Sequence, residues 1–136
     1  LGLPNNVLAG VQSSNDQYIQ FLADRIFSKL QNGVSQSVIF VGISFKKHTN
    51  DVRESPNLRI GAILAKRGIK VRYTDPHLRI STLPDEQYKI AETLDPNFRD
   101  RFRDPSEIVD NYDLLVQNRN DKDIPINIQS TAVFEI

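Results

Sequence analysis

No cysteine occurs in the 136 residues, which excludes disulfides, thiolate-held metals and a cysteine nucleophile within this chain. Only two histidines are present, His48 and His77, too few and too far apart for a histidine metal site. Net charge is missing as well: Lys plus Arg and Asp plus Glu both number 17. No overall field therefore favours a nucleic acid or an anionic membrane, and any anion has to be bound locally. No apolar run approaches the roughly 18 residues a membrane span requires. The opening "LGLPNNVLAG" lacks both the basic region and the apolar stretch of a signal peptide, so a cytoplasmic location is the expectation. The first residue is Leu1 rather than Met, which suggests a piece of a longer protein.

What is present reads as one α/β unit. Hydrophobic residues make up 39% of the chain, enough for a real core at this length. Ile19, Leu22, Ile26 and Leu30 recur at spacings of three and four, which predicts an amphipathic helix over 16–30, with its N-cap among Ser14, Asn15 and Asp16 and its stop at Gly33. "SVIFVGI" at 37–43 is a β-branched apolar run of the kind that forms a strand covered on both faces. Ser55 and Pro56 supply an N-cap and a first-turn proline for a helix that carries Ile60, Ile63 and Leu64 and stops at Gly68. "KVRYTD" at 70–75, "YDLLVQN" at 112–118 and "TAVFEI" at 131–136 read as further strands, with a short helix at 105–111 before the third. Strands alternating with helices imply parallel pairing and right-handed crossovers in a three-layer Rossmann-like sandwich with a mainly parallel sheet. The polar stretch 77–104, with its alternating charges in "FRDRFRDP", reads as a solvated loop with one helical turn. Gly61 inside the second helix points to close helix–sheet packing.

The densest chemistry lies in "VGISFKKHTNDVRESP", 41–56, between the first strand and the second helix. In an open parallel sheet, ligands bind beyond the C-terminal strand ends, where a helix N-terminus offers free N–H groups to anions. A primary dinucleotide site would place G-x-G-x-x-G here, whereas this loop has Gly42 and then the bulky Phe45 and Lys46. Lys46 and Lys47 can bring point charges to a phosphate, and Arg53 can bring a planar fork to a phosphate or carboxylate. The structural alternative is that Arg53 pairs with Asp51 or Glu54 and the lysines are simply solvated. Asp75, before Pro76, stands where dinucleotide folds keep a ribose-binding acid, but Asp-Pro is also an ordinary turn opener, and we read it as the turn.

"GISFKKHTNDVRESP" resembles the G-x-x-F-K-x-x-T-x-D-x-R-E-S-P signature of the UDP-glucose/GDP-mannose dehydrogenase family, at the head of its C-terminal nucleotide-sugar-binding domain. Gly42, Phe45, Lys46, Thr49, Asp51, Arg53, Glu54, Ser55 and Pro56 fill every fixed position. "GIKVRYTDPHL" and "NYDLLVQNRND" are similar to the two strands that follow in that family. Residues 1–33 resemble the helical segment leading from the dimerising core, which sets 34–136 as the nucleotide-sugar-binding domain. The resemblance implies an enzyme that oxidises C6 of a nucleotide-activated sugar to a carboxylate in two NAD-dependent steps. The cofactor would be held mainly by an N-terminal domain, the covalent work done by a cysteine elsewhere, and the full-length protein would be a homodimer. Carried over by position, Phe45 and Lys46 would contact the nucleotide sugar and Arg53 would reach NAD. Thr49, Asp51, Glu54 and Ser55 would fix the loop around them through turn and cap hydrogen bonds.

Lacking both the glycine loop and the cysteine, this chain alone is expected to show no turnover. "LPNNVLAGVQSSNDQ", "SFK" and "VQNRND" are closer in form to the GDP-mannose branch than to the UDP-sugar branch. The competing readings are a non-catalytic nucleotide-binding or receiver-like module and an interaction domain for which 41–56 is only a charged connector. A receiver would need an acidic pair early in the chain, and Ser44, Phe45 and Lys46 end the first strand instead.

Overall fold

Four strands pair into one sheet, all parallel, in the order β2-β1-β3-β4: β1 Ser37–Val41, β2 Lys70–Thr74, β3 Asn111–Gln117 and β4 Gln129–Glu135. A computed structural model of the chain describes residues 5–30, 36–44, 51–118 and 128–136, with side chains from Asn15 onward. The helices are α1 Asn5–Lys29, α2 Pro56–Lys66, α3 Asp85–Leu94 and α4 Phe98–Arg101. This is the expected α/β, Rossmann-like architecture.

β1 is central and its apolar run is buried on both sides. Val38 and Phe40 join the large core with Ile19, Leu22 and Ile26 of α1 and Leu58, Ile60 and Leu64 of α2. Ile39 and Val41 face the other way and meet Leu115, Ile108 and Tyr112 in a smaller cluster. The uninterrupted β-branched stretch is thus explained by two apolar environments rather than one. Phe134 of β4 is buried under α1, with the Arg25 guanidinium 5.5 Å and the Lys29 ammonium 5.7 Å from its ring centre.

α1 is longer than the reading of 16–30. It runs unbroken from Asn5, so Ser14, Asn15 and Asp16 sit inside it instead of capping it. Polar residues cost a helix only a few tenths of a kcal/mol each, and Val7, Leu8 and Val11 continue helical spacing upstream. Asp16 instead accepts an ion pair from Arg59 of α2. The expected stop at Gly33 lies outside the described residues.

The stretch 77–104 is the larger correction. It is not a solvated loop: it forms α3 and α4 and contributes Leu83, Ala91, Phe98 and Phe102 to the core. Its anchor is polar. Asp95, fully buried, accepts the Tyr73 hydroxyl at 2.7 Å, the Arg101 guanidinium and the Asn97 amide at 3.0 Å. Tyr73 also stacks at a tilt against Phe40 and Phe98. Residues 105–111 give a single 3-10 turn, Pro105–Glu107, rather than a longer helix. Gly61 has the predicted role, since a Cβ there would overlap the Tyr73 hydroxyl and ring.

Candidate functional site

The order β2-β1-β3-β4 makes the chain leave β1 toward β2 on one side and leave β3 toward β4 on the other. The C-terminal ends of β1 and β3 therefore flank the topological switch point, the position at which such sheets take ligands. The segment that starts there is the charged loop between β1 and α2.

Its beginning is held by three neighbours. Gly42 turns the chain with φ 97°, a left-handed conformation that favours glycine. Its amide donates to the Thr74 carbonyl at 2.8 Å, and its carbonyl accepts from Nδ2 of Asn57. Beyond it, the amides of Ile43 and Ser44 both donate to Oδ2 of Asp75, at 2.8 and 3.3 Å. Asp75 is buried, and its other oxygen accepts the His77 amide at 2.8 Å. The Asp-Pro turn is therefore present as read, and the same carboxylate also clamps the end of the neighbouring strand. Both oxygens are engaged within the protein.

The far end of the loop is built on α2. Ser55 is buried and caps that helix, its Oγ accepting the Leu58 amide at 3.4 Å, with Pro56 in the first turn. Glu54 takes a left-handed φ of 55°. Val52 is fully buried, and its amide donates to Oε1 of Gln87 on α3 at 2.8 Å. Arg53 and Asp51 form a two-pronged ion pair, Nε to Oδ1 at 3.0 Å and Nη2 to Oδ2 at 2.7 Å, with the arginine side chain 69% exposed. Hydrogen bonding to Asp51 and its charge, with Glu54 and Glu86 nearby, hold the guanidinium's pKa above the ordinary arginine value.

Of the residues picked from the sequence, Asp51, Arg53, Glu54 and Ser55 stand together at the N-terminal end of α2. Phe45, Lys46 and Thr49 lie outside the described residues. The pairing of Arg53 with Asp51 is one of the two arrangements left open above, and it leaves the guanidinium facing solvent. Asn57, Asp75 and Gln87 were not singled out as part of this site. Asn57 gave a faint signal, a side chain able to accept or donate in the first turn of the helix; Gln87 gave none, because α3 itself was not read.

A hollow of about 320 Å³ lies at the opposite rim, lined by Ser37, Lys70, Asp110, Asn111, Tyr112 and Asp113. It is at the N-terminal strand ends, away from the switch point. Among the described residues, no group of three His, Asp or Glu side chains is placed to hold a metal ion, and no helix is long and apolar enough to cross a membrane.

The family described as "UDP-glucose/GDP-mannose dehydrogenase family, UDP binding domain" matches residues 39–126. GDP-mannose 6-dehydrogenase of Pseudomonas aeruginosa is 24% identical over 123 residues, which cover 90% of this chain and 27% of that protein. UDP-glucose 6-dehydrogenase TuaD of Bacillus subtilis is 28% identical over 75 residues, 55% of this chain and 16% of that protein. The chain thus spans under a third of the length of either relative. A crystal structure of a ternary complex of GDP-mannose dehydrogenase from Pseudomonas aeruginosa shares the fold, with a TM-score of 0.65 and 20% identity over 97% of this chain and 31% of that one.

Proposed function

The chain belongs to the UDP-glucose/GDP-mannose dehydrogenase family, and from that premise we propose that it is the nucleotide-sugar-binding domain of an NAD-dependent nucleotide-sugar 6-dehydrogenase. The observation that carries the reading is the coincidence of the family's match, 39–126, with a switch-point loop whose two ends are pinned by the fold. In this reading 34–136 is the binding domain and 1–33 leads into it from a helical core.

A diphosphate at this rim would meet the loop 42–56 at the N-terminal end of α2, the end at which a helix dipole favours negative charge. Lys46 would supply a compact cation to the diphosphate and Phe45 an apolar surface to the nucleotide or sugar. Thr49, Asp51, Glu54 and Ser55 would hold the loop's shape. A bound NAD would supply the hydride acceptor for oxidation at the sugar's C6. The residues here fit only one contact to it: the chain has no G-x-G-x-x-G, while Arg53 offers an exposed guanidinium that can reach a facing domain. The rest of the cofactor site and the cysteine chemistry would belong to other parts of the protein. We take GDP-mannose as the preferred sugar on the resemblance of 3–17, 44–46 and 116–121 to that branch.

Calorimetric titration of this chain and of the full-length protein with GDP-mannose, UDP-glucose and inorganic phosphate tests the proposal. Both nucleotide sugars should bind more tightly than phosphate, with GDP-mannose ahead. Indifference of the full-length protein to all three would point to an interaction module instead.

A further inference from the structure

Among the described residues, Glu54 is the one residue other than glycine with a left-handed φ, at 55°. It takes the second central position of a hydrogen-bonded turn, in which the Ser55 amide donates to the Val52 carbonyl at 3.1 Å and Arg53 takes the first. A positive φ at that position is the pattern of a type II turn, and it favours glycine because a Cβ is crowded there. A glutamate therefore adopts this turn at a conformational cost.

The side chain returns nothing to the turn. The Glu54 carboxylate is exposed and accepts no hydrogen bond among the described residues. Arg53 is held instead by Asp51, which takes its Nε and Nη2 and, through Oδ1, its backbone amide at 3.0 Å. The cap of α2 comes from Ser55. One local gain remains, the attraction of a carboxylate to the N-terminal end of a helix dipole, and at an exposed position it is small. Glycine would remove the strain and forfeit only that. Strained conformations of this kind concentrate at ligand-contacting sites, where the side chain is needed in spite of its backbone.

We propose that Glu54 is a ligand contact, its carboxylate accepting the vicinal hydroxyls of a ribose whose phosphate lies toward Arg53. The two residues are adjacent on one turn, both are exposed, and the charge of Glu54 acts on the guanidinium. A carboxylate repels phosphate and accepts from donors, and hydroxyls are the abundant donors of both a nucleotide sugar and NAD. Guanidinium to phosphate and carboxylate to ribose diol is the complementary pairing. The contact rests on the functional reading above, and the ribose of either ligand offers this chemistry.

The test uses the full-length enzyme with Glu54→Gly, which relieves the turn, and Glu54→Gln, which keeps the strain and an acceptor but loses the charge. Tm of the ligand-free proteins is measured, then KM and kcat for GDP-mannose, for NAD and for the 2′-deoxyribose analogue of each. Glu54→Gly should melt no lower than the wild type, yet raise KM about tenfold for one of the two ligands, the effect of a lost hydrogen bond to a charged group. Glu54→Gln should raise the same KM by less. The ligand affected identifies which ribose is held. For that ligand the wild type should discriminate against the 2′-deoxy analogue and Glu54→Gly should not, because both changes remove one contact. Unaltered KM values with a lowered Tm in both variants would assign Glu54 to the helix dipole and overturn the proposal. So would a raised KM with discrimination against the analogue intact, since the effect would then be indirect. A wild-type enzyme that binds neither nucleotide sugar nor NAD would instead sink the functional reading, and this contact with it.

Discussion

Arg53 carries the most exposed part of the account. Its guanidinium is held by Asp51 and surrounded by Glu54 and Glu86, so it is oriented without being buried. If it serves the cofactor, Arg53→Ala in the full-length enzyme should raise KM for NAD by roughly tenfold or more while leaving KM for the sugar nearly unchanged. Steady-state kinetics in both substrates check this. Tyr73 makes a prediction in pH. Burial first, and then the charge and hydrogen bond of Asp95, push its phenol far above the ordinary tyrosine range. An unfolded chain releases that proton near pH 10 while the folded chain retains it, so stability is full below about pH 10 and falls as pH rises beyond it. Tyr73→Phe should remove this part of the alkaline loss and cost about 1–3 kcal/mol near neutrality, because Asp95 loses a donor. Denaturant unfolding of both proteins at pH 7 and above pH 10 measures the two effects.

At the scale of elements, α2 is the one whose residues announced it. Ser55 and Pro56 mark its start and Gly68, with φ 90°, its end. Ser55→Ala should cost about 1 kcal/mol by leaving the Leu58 amide without its acceptor, lowering Tm by roughly 3–5 °C. Within the same helix, Gly61→Ala sets two effects against each other. Alanine gains about 1 kcal/mol of helix propensity, but its methyl overlaps a fully buried tyrosine, a clash that costs about 1–3 kcal/mol or more. The variant should be net destabilised in thermal melts. α3 shows why the rest was not legible. Its charged face dominates the composition, Ala91 is its only fully buried residue, and Tyr73, the partner that ties its C-cap Asp95 to the sheet, is reached only after the chain has folded. Helical periodicity with so few apolar positions carries little signal. α1 failed in the opposite way: good capping residues were present, but a helix can continue through Ser and Asn when apolar spacing resumes on the far side.

For the molecule as a whole, parallel alternation of strands and helices could be read because β1 is an apolar run and α2 is bracketed by Ser55, Pro56 and Gly68. Strand order could not, since nothing local dictates that the chain returns past β1 to place β3 beside it. That return creates the switch point, and with it the rim to which the signature loop belongs. Lys46 and Arg53 were legible from charge and position and the other loop residues by resemblance, whereas the anchors Asp75, Asn57 and Gln87 needed three-dimensional neighbours to be seen. The two rims of the sheet now offer a direct contest between the charged loop at one end and the 320 Å³ hollow at the other. The decisive measurement is amide chemical-shift mapping of the isotope-labelled protein titrated with GDP-mannose. The account predicts that shifts concentrate on 42–57 and the C-terminal ends of β1 and β3, and that Lys46→Ala weakens the response. Shifts centred instead on Ser37, Lys70 and 110–113, or a Lys46→Ala protein that titrates like the wild type, would contradict it.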